Sequence, residues 1–253
     1  MKIAVVTGAS SGMGRQFVLK LDRQESFDEI WVLARRKDRL DAMQKDVRAK
    51  VRPLAVDLTR RADMGLYRDL LMQQTPEVKV LVNAAGFGLF GTFKDMDLDQ
   101  QLDIVALNDQ ALTAMTYMTI PYMKPGAAIY NIGSLSSFQP VPYMTVYGAS
   151  KAYVLSFSQA MGVELAKQGI RVMAVCPGWI KTEFFDRAVH DDTVKYYNRY
   201  YSPEQVADQA LIDMAHGKAV SVLGRPERRQ VRLVKHLPTA LVMRTWVHQQ
   251  KLD

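Results

Sequence analysis

Ile3-Ala4-Val5-Val6-Thr7-Gly8-Ala9-Ser10-Ser11-Gly12-Met13-Gly14 is the stretch that decides the architecture. A short β-branched run passes directly into a glycine-rich turn, and the helix-compatible segment Arg15 to Arg23 follows. In that order the glycines close a tight turn and let backbone N–H groups, at the positive end of a helix, approach a pyrophosphate. The spacing GxxxGxG departs from the ordinary GxGxxG fingerprint. A tight turn that binds nothing is the competing reading, so the rest of the chain has to decide.

Working outward, apolar runs recur at Ile3-Val6, Ile30-Leu33, Val51-Val56, Val78-Val82, Ala127-Ile132, Arg171-Val175 and Ala219-Leu223. Between them lie helix-compatible patterns at Arg36-Arg48, Ala62-Gln74, Gln100-Met118, Ser150-Gln168 and Pro203-His216. Ser202-Pro203-Glu204-Gln205 opens the last of these with a capping box and proline at the first helical position. Strand alternating with helix specifies an α/β fold: a single doubly wound Rossmann-type domain over residues 1–253, with a seven-stranded parallel sheet. Ligands of such sheets bind beyond the carboxyl ends of the strands, so functional residues belong just after each apolar run.

Composition removes several classes of function. No stretch reaches the roughly 20 apolar residues of a membrane-spanning helix, and the first residues are too short an apolar run for a signal peptide. A cytoplasmic protein is expected. Cys176 is the only cysteine, which excludes an internal disulfide and a cysteine-cluster metal site; no metal is expected. The net charge of +7 is concentrated at the end of the chain, where eight Lys/Arg after Gly217 face only Glu227 and Asp253. Basicity confined to a tail gives no nucleic-acid-binding surface across the domain.

The second apolar run ends Ala34-Arg35-Arg36. A carboxylate there would take the hydroxyls of an unmodified ribose, whereas arginine pairs with a 2′-phosphate. The residues therefore favour NADP(H), with Arg35 as the main partner and Arg36 assisting. Asp57, followed by Leu58, either receives an adenine amino group or caps the segment after Thr59. Asn83-Ala84-Ala85-Gly86 supplies small residues where a nucleotide packs against backbone.

Tyr147-Gly148-Ala149-Ser150-Lys151 places a phenol and an ammonium four residues apart on one helical face. A fixed positive charge favours phenolate and lowers a tyrosine pKa that is ordinarily about 10. Ser134, thirteen residues upstream of Tyr147, adds a hydroxyl able to hold a carbonyl oxygen. Together with TGASSGMG, NAAG, Asn108 and Pro177-Gly178-Trp179-Ile180-Lys181-Thr182, these motifs resemble, in order, those of the classical short-chain dehydrogenase/reductase family. The resemblance spans about Ile3 to Thr182. It implies a catalytic tetrad of Asn108, Ser134, Tyr147 and Lys151, with Asn108 supporting a proton relay and Lys151 contacting the nicotinamide ribose. The cofactor-binding set it implies is Gly8, Ser10, Ser11, Gly12, Met13, Gly14, Arg35, Arg36, Asp57, Leu58, Asn83, Ala84, Tyr147, Lys151, Pro177, Gly178, Ile180 and Thr182.

On this reading the protein interconverts a carbonyl and a secondary alcohol on a small molecule, and assembles as a homodimer or homotetramer. A catalytically weak NADP(H)-binding sensor or scaffold is the alternative. The aromatic-rich segment 183–201 either covers a bulky, largely apolar substrate or packs on the sheet. The basic extension 225–253, divided by Pro238, either packs on the body or an oligomer partner, or makes a weak contact with an anionic membrane or other partner.

Overall fold

Strands buried on both faces must be apolar at successive positions, as residues 3–6 and 30–33 are. The computed structural model describes residues 1–189 and 193–252, which leaves residues 190–192 of the segment 183–201, and Asp253, outside the described residues. The strands are β1 (Lys2–Thr7), β2 (Glu29–Ala34), β3 (Lys50–Ala55), β4 (Glu77–Asn83), β5 (Met123–Ile132) and β6 (Arg171–Val175). A separate pairing of β7 (Trp179–Ile180) with β8 (Tyr200–Tyr201) precedes β9 (Val220–Ser221). Seven strands form one parallel sheet in the order β3-β2-β1-β4-β5-β6-β9, so each of the seven expected runs becomes a strand.

The helices are α1 (Gly12–Gln24), α2 (Lys37–Asp41), α3 (Arg61–Gln74), α4 (Leu98–Val105), α5 (Leu112–Thr119), α6 (Thr145–Ala166), α7 (Phe184–Ala188), α8 (Pro203–Ala215), α9 (Arg225–Val234) and α10 (Thr239–Gln249). Phe17 and Leu21 of α1 and Val206 and Leu211 of α8 cover one sheet face over Ala4, Val6, Ile30 and Val32. Tyr67 and Leu71 of α3, Met115 of α5 and Leu165 of α6 cover the other over Ile3, Val5, Trp31 and Leu33. Ser202 caps α8 as its sequence requires: its hydroxyl accepts from Gln205 N at 3.2 Å, and the Gln205 side chain accepts from Ser202 N at 3.0 Å.

Three helices differ from expectation. The segment 36–48 yields only α2 and a 3₁₀ turn, because the Asp22 carboxylate takes the N–H groups of Arg48 and Ala49 at 3.0 and 2.9 Å and turns the chain into β3. The segment 100–118 is split by a π-helical turn at Ala106–Ala111. Helix α6 starts earlier than expected, at Thr145, so Tyr147 and Lys151 both lie inside it.

A buried amide chain locks β4 to β5 and to the helices above them. Asn83 Nδ2 donates to Asn131 Oδ1 at 2.8 Å and to Thr116 Oγ1 at 3.0 Å, and Asn131 Nδ2 donates to Ser158 Oγ at 3.0 Å. Removing Asn131 leaves buried donors and acceptors without partners. Asn131→Ala is expected to lower unfolding free energy by about 2–4 kcal/mol in urea denaturation; a loss under about 0.5 kcal/mol would contradict a structural role for the chain.

Candidate active site

The strand order reverses at β1, with β2 on one side and β4 on the other, which opens a crevice beyond their carboxyl ends. Thr7 fixes its floor: Oγ1 accepts from Ala84 N at 3.0 Å and Ala85 N at 3.1 Å, and donates to Val82 O at 3.4 Å. Gly8 has φ +64°, and a Cβ on it would stand 2.7 Å from Ala84 O and Ala85 N, so the two loops meet only because it is glycine. Helix α1 then begins with Ser11 placing no hydroxyl on its first-turn N–H groups and with no acidic residue in that turn. A pyrophosphate fits such an uncapped helix start.

A cavity of about 640 Å³ occupies the crevice, lined by Gly8, Ser10, Ser11, Gly12, Met13, Gly14, Arg35, Arg36, Asp57, Leu58 and Ala84. Asn83, expected in this wall, is absent from it, its Nδ2 being committed to the buried network that joins β4 to β5. Asp57 does both things its sequence position allows. It faces the cavity, and its Oδ1 also accepts from Thr59 N at 3.0 Å and Thr59 Oγ1 at 2.7 Å. Burial raises its carboxyl, but the Thr59 hydrogen bonds and the Arg35 charge overcome that and hold it below the ordinary range.

Both arginines expected to take a phosphate line this cavity, in different ways. Arg36, at the start of α2, lies on the glycine loop: Nη2 donates to Ser10 Oγ at 3.0 Å and Ser11 Oγ at 2.8 Å. Arg35 lines the cavity from an exposed position. Three residues beyond Arg36, and so on the same helical side, Arg39 joins it on a carboxylate unnoticed in the sequence. Glu183 Oε1 accepts from Arg39 Nη1 at 2.6 Å and Oε2 from Arg36 Nη1 at 2.8 Å. The Arg39 and Arg36 hydrogen bonds push the Glu183 pKa down to about 2.

At the other end of the crevice, Tyr147 and Lys151 rise from the first turns of α6. Lys151 Nζ donates to Ile132 O, the end of β5, at 2.9 Å and lies 5.7 Å from the Tyr147 ring centroid. Ser134 caps a 3₁₀ turn. Its Oγ accepts from Ser136 N, and its own N–H is held by Ser137 Oγ, both at 3.1 Å. Ser136 and Ser137 thus orient Ser134. Burial pushes Tyr147 up to about 12, with a Ser134 hydrogen bond opposing it. Burial pulls Lys151 down to about 8, with Asp109 opposing it. The expected lowering of the tyrosine by Lys151 does not dominate, since burial of the phenol outweighs it.

Asn108 sits in the π turn, which projects its side chain inward. Oδ1 accepts from Phe87 N at 3.1 Å, and Nδ2 donates to Phe87 O and Ser150 Oγ, each at 3.0 Å. Its polar atoms are therefore spent on holding the loop after β4 against α6. The next residue, Asp109, is raised to about 7 by burial against the opposing charge of Lys151, and its Oδ1 is buried with no hydrogen-bond partner among the described residues. A Cβ on Gly86 would stand 2.8 Å from Asn108 Oδ1 and 3.4 Å from Lys151 Nζ; one on Gly88 would stand 2.6 Å from Tyr147 Cδ2. Sequence reading singled out Gly86 but missed Gly88.

A second cavity, of about 370 Å³, opens over Ser134, Tyr147 and Lys151 and shares Met13, Ala84, Gly86, Thr182 and Phe184 with the first. Pro177, Gly178, Ile180 and Thr182 line it. The aromatic segment both packs and lines. Phe184 lies 5.5 Å from the Tyr147 ring and faces the cavity with Phe185 and Tyr196, while Tyr197 packs edge-on against Trp179 at 4.9 Å. The basic extension forms α9 and α10 either side of Pro238 and folds back on the body. Trp246 Nε1 donates to Pro142 O at 3.0 Å, and Gln250 Oε1 accepts from Lys195 N and Tyr196 N at 2.9 Å. Val234, Leu237, Val242 and Trp246 wall the cavity, a role the sequence did not disclose. Among the described residues no helix is long and apolar enough to cross a membrane.

Gly88→Ala is expected to tilt the Tyr147 ring and to cut any activity of this site at least about tenfold, with the thermal midpoint changed by only a few degrees. Steady-state rates beside a melting curve check it, and full activity would show that the contact relaxes freely.

A short chain dehydrogenase family model matches residues 2–193. An NADP-dependent 3-hydroxy acid dehydrogenase of Schizosaccharomyces pombe is 28% identical over 234 residues, covering 87% of this chain and 90% of that protein. A short-chain dehydrogenase from Sphingobium yanoikuyae, solved in complex with NADPH, superposes with TM-score 0.78 at 29% identity, covering 95% of this chain and 98% of that one. The bulky-bulky ketone specific alcohol dehydrogenase from Comamonas testosteroni superposes with TM-score 0.74 at 26% identity over 95% and 96% of the two chains. Sheet order, glycine loop and the match across most of its length agree: the chain belongs to the short-chain dehydrogenase family of oxidoreductases.

Proposed function

We propose that this protein is an NADP(H)-dependent oxidoreductase that interconverts a bulky, largely apolar ketone and its secondary alcohol, with Tyr147 as general acid and base. One observation carries the reading: Ser134 and Tyr147, hydrogen-bonded to each other, line with Lys151 the cavity that shares Met13, Ala84, Gly86, Thr182 and Phe184 with the nucleotide crevice. A nicotinamide dinucleotide held on the glycine loop supplies or accepts the hydride. In reduction the Ser134 and Tyr147 hydroxyls donate hydrogen bonds to the carbonyl oxygen, and Tyr147 passes its proton to that oxygen as it becomes an alkoxide. Lys151 stabilises the phenolate left behind. In the reverse direction the phenolate takes the alcohol proton. Asn108 serves by holding the loop that carries Gly86 and Gly88 against α6. Arg36, with Arg35 and Arg39 beside it, suits a 2′-phosphate, since guanidinium pairs with phosphate in two parallel hydrogen bonds.

The walls argue for the substrate class. Aromatic and aliphatic side chains from Phe184 to Trp246 enclose a space of about 370 Å³, within the range of small-molecule sites. Residues 183–189 and 193–201 then cover the substrate, and the C-terminal extension is the opposite wall. Exposed Tyr117 of α5 and Val163 of α6, 80% and 78% accessible, suit burial in a homo-oligomer.

NADPH and NADH oxidation with a panel of small aldehydes and bulky ketones tests the proposal. NADPH with bulky ketones is expected to give the highest kcat/KM, and Tyr147→Phe to lose about 10²- to 10⁴-fold in kcat. A strong NADH preference would remove the Arg36 assignment, and small aldehydes outpacing ketones by orders of magnitude would remove the substrate class. No turnover by wild type or variant, with NADPH still bound, would favour a sensor.

The pH dependence follows from the burial of the pair. With Tyr147 raised to about 12, its proton stays available through the neutral range, whereas Lys151, lowered to about 8, loses its charge just above it. Reduction is expected to be level below pH 8 and to fall above it. The carboxylate of Asp109 favours the charged lysine, so Asp109→Asn is expected to move that fall to lower pH. A profile unchanged in the variant would show that Lys151 does not set the limb.

A further inference from the structure

We propose that Glu183 is a specificity-determining residue: an internal anion that competes with the cofactor's 2′-phosphate for Arg36 and Arg39. The inference rests on the NADP(H) reading above and concerns what that phosphate must displace. Glu183 presents one carboxylate oxygen to each guanidinium, at 2.6 Å to Arg39 and 2.8 Å to Arg36. A phosphate bound between two arginines would make the same pattern of charge-assisted contacts. Arg36 also grips Ser10 and Ser11, so the carboxylate is held at the mouth of the crevice on the glycine loop itself. Glu183 lines the nucleotide cavity together with Arg36 and Arg39.

The position of Glu183 in the chain gives the competition a direction. It follows Thr182 directly and immediately precedes α7, the first element of the aromatic segment over the second cavity. An anion arriving at Arg36 and Arg39 must either drive Glu183 off or bind beside its negative charge, and both weaken binding. A cofactor without the phosphate brings nothing to compete for the arginines and leaves the pair intact. Glu183 therefore narrows the preference for the phosphorylated cofactor, and through its place at the base of α7 it ties the arginines to the segment that covers the substrate.

Equilibrium titration of wild type, Glu183→Gln and Glu183→Ala with 2′,5′-ADP and with 5′-AMP tests this. All the partners are on the surface, so both variants are expected to fold, and a melting curve verifies it. Two exposed ion pairs of ordinary strength translate into tightening of 2′,5′-ADP by about three- to tenfold in both variants, with 5′-AMP unchanged. Unchanged or weaker binding of 2′,5′-ADP would overturn the inference, as would equal tightening of 5′-AMP, which would mark a general change of potential. Wild type binding 2′,5′-ADP no better than 5′-AMP would instead defeat the NADP(H) reading beneath it.

Discussion

Close approach of backbone at the carboxyl ends of β1 and β4 is the constraint on which the rest of the site depends. Gly8 lies against the Ala84-Ala85 peptide, Gly86 against Asn108 and Lys151, and Gly88 against the Tyr147 ring. At each position the missing Cβ makes room for something the site needs: a floor for the crevice, space for an amide and an ammonium, or a seat for a phenol. The hydroxyl of Thr7 fastens the same junction by bonding both Ala84 and Ala85. A parallel sheet brings the strand ends together, but only residues without side chains let the loops between them touch.

The polar interior serves that junction. Asn83 and Asn131 join β4 to β5, Thr116 and Ser158 carry the connection to α5 and α6, and Asn108 closes the loop after β4 onto Ser150. The π turn at Ala106–Ala111 is the price of that last contact, since one extra residue in the helix turns Asn108 inward and leaves Asp109 half-buried beside the field of Lys151. Burial then separates the proton affinities of Tyr147 and Lys151, raising the phenol and lowering the ammonium. At neutral pH both hold their protons, the state in which a carbonyl oxygen can be met by a donor backed by positive charge.

Fold and chemistry were legible in the sequence to different depths. The seven strands could be read because most are short apolar runs bounded by polar residues, as strands buried in a parallel sheet are. Tyr147, Lys151 and Ser134 could be read because helical spacing and order along the chain fix which strand ends they share. That Arg36, and not Arg35, rests on the glycine loop could not be read, because adjacent residues at a strand end point in different directions. Glu183 and Arg39 were missed because their pairing spans 144 residues. Gly88 was missed because its neighbour, a tyrosine ring from α6, is absent from its local sequence.

The walls of the second cavity lay beyond the sequence for a deeper reason. A basic, amphipathic tail has the same composition whether its apolar side meets lipid, a second chain or its own domain. Here Trp246 reaches Pro142, and Gln250 holds the backbone of Lys195 and Tyr196, so the tail and the aromatic segment support one another across the cavity. Neither belongs to the main sheet, and the constraints that fix the glycine loop and Tyr147 do not reach them. Ser134, Tyr147 and Lys151 thereby stand in the part of the chain whose geometry the sheet dictates. Cavity shape falls to segments held by ring packing and a few hydrogen bonds, where substitutions can change the walls without moving Tyr147 and Lys151.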